Sequence, residues 1–158
     1  MEVEQYMSSD ESEYKFSKFL DAQEKVYPKA LKEIQAGKKR THWIWYIFPI
    51  IRGFGKSKMC NYYALDSVDE AKEYLQDDLL KQHLIEISEA LLQLETNDAH
   101  YIFRSPDDSK VQSCMTLFSL AAPNETVFQK VLDKYYNGEQ NKKTLVLLEK
   151  QNTQQEQE

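Results

Sequence analysis

The sequence predicts an all-α fold, a compact multihelical array of about six helices in a single domain. Three observations lead there. Apolar residues recur with a helical period over nearly the whole chain. Gly and Pro number only four each, too few for a turn-rich sandwich or barrel. The one stretch of strand-favouring composition, "HWIWYIFPII", has no second strand candidate beside which to place its backbone hydrogen bonds.

The elements follow in order. Phe16, Phe19, Leu20, Gln23, Val26, Tyr27, Ala30, Leu31 and Ile34 form one helical stripe in which only Gln23 is polar. Pro28 is expected to kink or restart that helix, and Gly37 supplies its left-handed C-cap. "HWIWYIFPII" reads as a buried short helix or turn before the loop "RGFGKSK". "SVDEAKEYL" opens with a capping box, Ser67 with Glu70. Leu80, Leu84, Ile87, Leu91 and Leu94 make the next stripe. "SPDDSKVQSCMTLFSLAA" places Pro106 in a first turn, with Asp107 and Asp108 at the positive end of the dipole. Asn124 is expected to cap a helix that carries Val127, Phe128, Val131 and Leu132 inward and stops at Gly138. A last helix spans about Asn141 to Glu149.

At 158 residues, 41% hydrophobic and 29% charged, the chain suits one soluble domain over residues 13–149. Polar composition marks residues 1–12 and 150–158 as disordered ends. No apolar run reaches the roughly 18 residues of a membrane span, and the acidic start is no leader peptide. Cys60 and Cys114 form neither a disulfide framework nor a metal spacing. The expectation is a cytoplasmic protein without metal or cofactor. The composition carries no signal for oligomeric state.

Charge is where the sequence departs from the ordinary. The net charge is -6, yet residues 34–65 contain no Asp or Glu. Even spreading would put about five acids there. The same stretch holds Lys38, Lys39, Arg40, Arg52, Lys56 and Lys58 around Trp43 and Trp45. Lys39, Arg40, Arg52 and Lys56 are candidates to neutralise phosphate, with Ser57 and the flexible Gly53 and Gly55 bringing backbone amides close. Trp43 or Trp45 is the candidate stacking ring. On the downstream helix, Asp108, Lys110, Ser113 and Thr116 share a polar face able to orient a sugar or phosphate. His42 and Asp108 are the acid–base candidates. The plainer alternative makes the aromatics core, the lysines a solvated face and Asp108 a helix-dipole partner. His83 reads as a packed core-edge residue, His100 as surface, and Cys114 as inert core.

"GKKRTHWIWYIFP", "GFGKSKMCNYYAL", "SVDEAKEYLQDDLL" and "DDSKVQSCMTLF" occur in an order that resembles the domain-of-unknown-function 1810 family, sometimes labelled calpastatin. The resemblance runs from about Phe16 to Leu148. It implies a compact multihelical domain and no settled activity. A largely disordered inhibitor, as the calpastatin label suggests, does not fit a chain this rich in helical stripes. His42, Trp43, Trp45, Lys56, Ser57, Asp108, Lys110, Ser113, Met115 and Thr116 match the family pattern. Thr41, Ile50 and Cys114 stand where Ser, Gln and Ser are usual, so any ligand contact through an amide at position 50 is missing here.

Function reads first as binding or processing of a small phosphorylated ligand, of nucleotide or ADP-ribose type. The helical families of NAD and ADP-ribose metabolism offer a fold-level analogy only. A helical protein-interaction module without catalysis is the alternative. Nucleic-acid binding through the basic island is a third reading, against which a pI of about 5.2 argues. The discriminating question is whether His42, Lys56, Asp108 and Lys110 line one cleft.

Overall fold

In the computed structural model, which describes residues 14–157, nine helices follow one another and no strand occurs among the described residues. They are α1 (Ser17–Gln35), α2 (Ile44–Ile47), α3 (Lys58–Tyr63), α4 (Val68–Tyr74), α5 (Asp78–Leu92), α6 (Ala99–Phe103), α7 (Asp107–Ala121), α8 (Val127–Tyr136) and α9 (Lys142–Gln157). The expected count of about six is corrected to nine. The extra elements are α2, α3 and α6, which have 4, 6 and 5 residues. One turn and a half shows no 3.6-residue period, so no stripe could reveal them. The N-terminal end assigned as disordered lies outside the described residues. The backbone of α9 continues past Glu149 to Gln157. None of these helices is long and apolar enough to cross a membrane.

Local chemistry explains the boundaries. At the end of α1, Gly37 takes a φ of +86°, its N–H bonds to the Ile34 carbonyl, and the Lys38 N–H bonds to the Glu33 carbonyl. This is the double closure of a Schellman motif. Pro28 is carried inside α1, which runs through it unbroken. At α4 the Ser67 hydroxyl accepts from the Glu70 N–H, while the Glu70 carboxylate accepts from Asp66 N–H, one residue before the cap. Asp77 caps α5 through the N–H groups of Leu79 and Leu80, and Asp98 caps α6. Asn124 is not the cap of α8; Thr126 holds that position without a side-chain bond. Asn137 ends α8 in the left-handed region, with Gly138 beside it at a φ of +76°.

Helix α7 is the centre of the array and packs on α4, α6, α8 and α9, while α1 packs on α5 and α5 on α8. An aromatic run crosses the core from Phe19 edge-to-face to Tyr74 (5.2 Å), then through tilted contacts to Phe118 (5.5 Å) and Phe128 (5.8 Å). Gln23, the polar member of the α1 stripe, is buried here. Its amide nitrogen donates to the Tyr46 carbonyl and the Tyr74 hydroxyl, and its oxygen pairs with His83 Nδ1 at 2.8 Å. Every polar atom of this buried side chain is therefore answered. His83 stacks on Tyr27 with centroids 3.7 Å apart, and burial pushes its imidazole pKa down.

Among the described residues the Glu33 side chain accepts the most hydrogen bonds. Its carboxylate accepts from Arg40 N–H (2.8 Å), Thr41 N–H (3.1 Å), the Thr41 hydroxyl (2.7 Å) and Trp43 Nε1–H (2.8 Å). Burial raises the carboxyl pKa, but the four donors outweigh it and bring it from 4.5 down to about 2. A depressed carboxylate stabilises the fold fully above its unfolded value, and that contribution drains away as pH falls through the folded value. Urea titrations from pH 5 to pH 2 are expected to show the wild type losing about 3 kcal/mol that Glu33→Gln does not lose. Parallel loss in both proteins would assign acid sensitivity elsewhere.

Candidate functional site

The Schellman turn sends the chain out of α1 over the end of α6, where Lys39 N–H bonds to the Ile102 carbonyl at 2.8 Å. Four donors on Glu33 then fold residues 40–43 back, so that Trp43 enters the core and is wholly buried. The turn places Lys39 against the first turn of α7. Its ammonium lies 2.9 Å from Asp107 and 5.1 Å from the Trp43 ring. Lys110, one turn along α7, reaches the other oxygen of Asp107 at 3.5 Å and lies 5.9 Å from the Trp45 ring. One carboxylate thus anchors two largely buried lysines, each over a tryptophan.

Two clefts flank this Lys–Asp–Lys group, with Pro106 in the wall of both. The first, of about 310 Å³, lies between residues 39–42 and 103–107 and is lined by Lys39, Arg40, His42, Arg104 and Asp107 among others. Among the described residues Arg40 and Arg104 make no ion pair through their guanidinium groups. Arg104 also holds a φ of 63° with ψ near 171°, a region that belongs almost wholly to Gly and costs about 1–3 kcal/mol in other residues. The second cleft, of about 260 Å³, is lined by Phe54, Gly55, Lys56, Ser57, Cys60 and Lys110 as well as Pro106. Another hollow, about 370 Å³, lies along α5 beside Asp78, Glu86 and Glu89. Its walls come from one helix and carry three carboxylates against one lysine, which suits no anion.

The structure therefore brings the two sequence motifs together, but it redistributes the expected residues. Lys39, Arg40 and His42 line the first cleft; Lys56, Ser57 and Lys110 line the second. Asp108 lines neither. Its carboxylate meets His100 at 3.3 Å, and its carbonyl accepts from Tyr136. Asp107 takes the place expected of it. Trp43 has no surface left for stacking, and Trp45 is half-buried beneath Lys110. Arg52 is engaged by Asp66 and the Asn61 carbonyl, away from both clefts. The polar face expected on α7 does not exist, because residues 113–118 are buried on every side. Ser113 bonds to Thr144 at 2.6 Å, and Thr116 accepts from Asn141 N–H at 2.8 Å. Both hydroxyls join α7 to the start of α9. Position 50 points inward too, since Ile50 is buried. A side chain there meets core and not ligand. Among the described residues no group of three or more His, Cys, Asp or Glu is placed to hold a metal ion.

The residues missed by sequence reasoning are Arg104, Asp107 and Phe54. Arg104 directly precedes the "SPDDSK" motif, and its bonding state is invisible without its neighbours. The glycines are accounted for by packing. Gly53 has a φ of +97°, and a Cβ on Gly55 would lie 2.5 Å from Cys60 Sγ. Gly55→Ala is therefore expected to lower stability by about 1–3 kcal/mol in urea unfolding. A Cys60→Ala change in the same chain should restore part of the loss; equal loss in single and double variants would remove this explanation.

With the geometry described, comparison with known proteins adds three findings. A family model described as a protein of unknown function, DUF1810, matches residues 13–148. The crystal structure of a conserved hypothetical protein from Mycobacterium tuberculosis is similar, with a TM-score of 0.83 and 39% identity over 85% of this chain and 96% of that chain. No curated protein matches.

Proposed function

We propose, for a chain that belongs to the DUF1810 family of proteins of unknown function, that the first cleft binds a small phosphorylated ligand of nucleotide or ADP-ribose type. One observation carries the reading. The cleft's single carboxylate, Asp107, is already shared by Lys39 and Lys110, which leaves Arg40 and Arg104 as guanidinium groups without a counter-ion among the described residues. Guanidinium forks match phosphate oxygens in geometry and charge. The Arg104 backbone supports the same reading. A strained arginine on a cleft wall is retained against a stability cost, as at sites that use their geometry. His42 lies on the same wall and takes the acid–base role in any conversion of ligand held there. Of the two rings expected to stack, Trp43 is buried and Trp45 is half-buried beneath Lys110; Phe54, across Pro106, is a further half-open aromatic on the second cleft.

A thermal-shift panel of nucleotides, ADP-ribose and sugar phosphates at millimolar concentration tests the proposal. At least one is expected to raise Tm by several degrees, since a ligand at a hundred times its Kd adds about 2.7 kcal/mol. Arg40→Ala should abolish the shift. No shift across the panel rejects the reading.

Arg104→Gly separates stability from function. It should raise the unliganded protein's stability by about 1 kcal/mol through relief of the backbone and reduce the ligand shift. A variant that is less stable, or that binds as well as wild type, argues against the role given to Arg104.

A further inference from the structure

The second cleft has no carboxylate in its lining, although the chain as a whole is acidic. Lys56 and Lys110 stand on its wall, Ser57 offers a hydroxyl, and Lys143 brings a further ammonium to its rim by donating to the Phe54 carbonyl at 2.8 Å. Like the first cleft it carries basic side chains and a serine, and Pro106 is common to both. Lys39 and Lys110 are held by different oxygens of the same Asp107, so one ammonium belongs to each side and one carboxylate bridges the two.

Size argues that the clefts work together. Small-molecule sites usually occupy about 300–1,000 Å³. At about 310 and 260 Å³ the two hollows each lie at or below the lower end of that range. We propose that they are halves of one bipartite site, and that its ligand carries two separated anionic groups, as a metabolite phosphorylated at two positions does, with its middle lying over Pro106. This rests on the reading of the first cleft as an anion site. In this arrangement Asp107 is a positioning residue, which keeps one lysine facing each half.

Linking two anions turns the second contact into an intramolecular one, so affinity should depend on the spacing between them. Calorimetric titration of the full chain with inorganic phosphate, an alkyl monophosphate and α,ω-alkanediol bisphosphates of increasing spacer length tests this. One spacer length is expected to bind with single-site stoichiometry at least about tenfold tighter than the monophosphate. Lys56→Ala, on an exposed residue, should reduce that bisphosphate to the affinity of the monophosphate. Arg40→Ala should weaken both. If no spacer improves on the monophosphate, or two ligands bind per chain, the bipartite site is wrong while the anion reading of the first cleft stands. If no probe binds, both are wrong.

Discussion

The Glu33 carboxylate is an anion placed just before the acid-free stretch, and four donors from residues 40–43 converge on it. A buried charge is tolerable only when hydrogen bonds replace the water it has lost. Here two backbone amides, a hydroxyl and an indole do so. Their convergence bends the chain sharply after α1. The bend delivers Trp43 to the core, sets Lys39 against Asp107, and leaves Arg40 and His42 on the wall of the first cleft.

The same economy of acids runs through the surrounding region. The stretch without Asp or Glu is bounded by Glu33 and Asp66, and each of these bonds back into it, Glu33 at its start and Asp66 through Arg52. Asp107 arrives from α7 and is taken up by two lysines. Acids are present wherever the backbone or a buried ammonium needs one. Among the described residues none of them pairs with Arg40, Arg104 or Lys56, which face solvent. A generally solvated basic face has no reason to divide its charges this way, because exposed ion pairs contribute little to stability.

Much of the fold was legible because the signals are local. The Ser67 cap, the Gly37 turn and the stripes of α1, α5 and α8 depend on residues within a few positions of one another. The short helices α3 and α6 were not legible as helices, and α2 only as a short helix or turn, since their existence depends on docking to α1, α7 and each other. Helix α7 misled for the opposite reason. Ser113 and Thr116 look like a solvent face by residue type, yet distant Thr144 and Asn141 answer their hydroxyls and allow them inside.

The sequence by itself determined the helical class, most helix limits and the location of the cationic segment, because periodicity, capping and charge are properties of neighbouring residues. Only the tertiary structure decided which of the charges are spent. Asp107 is adjacent to Asp108 in sequence and equivalent to it in chemistry, but one is clamped between Lys39 and Lys110 while the other turns to His100. Likewise Trp43, a candidate stacking ring by composition, is closed in the core, while Phe54 is left at the second cleft. Pairing and exposure depend on partners tens of residues away, and the chain path brings those together only on folding.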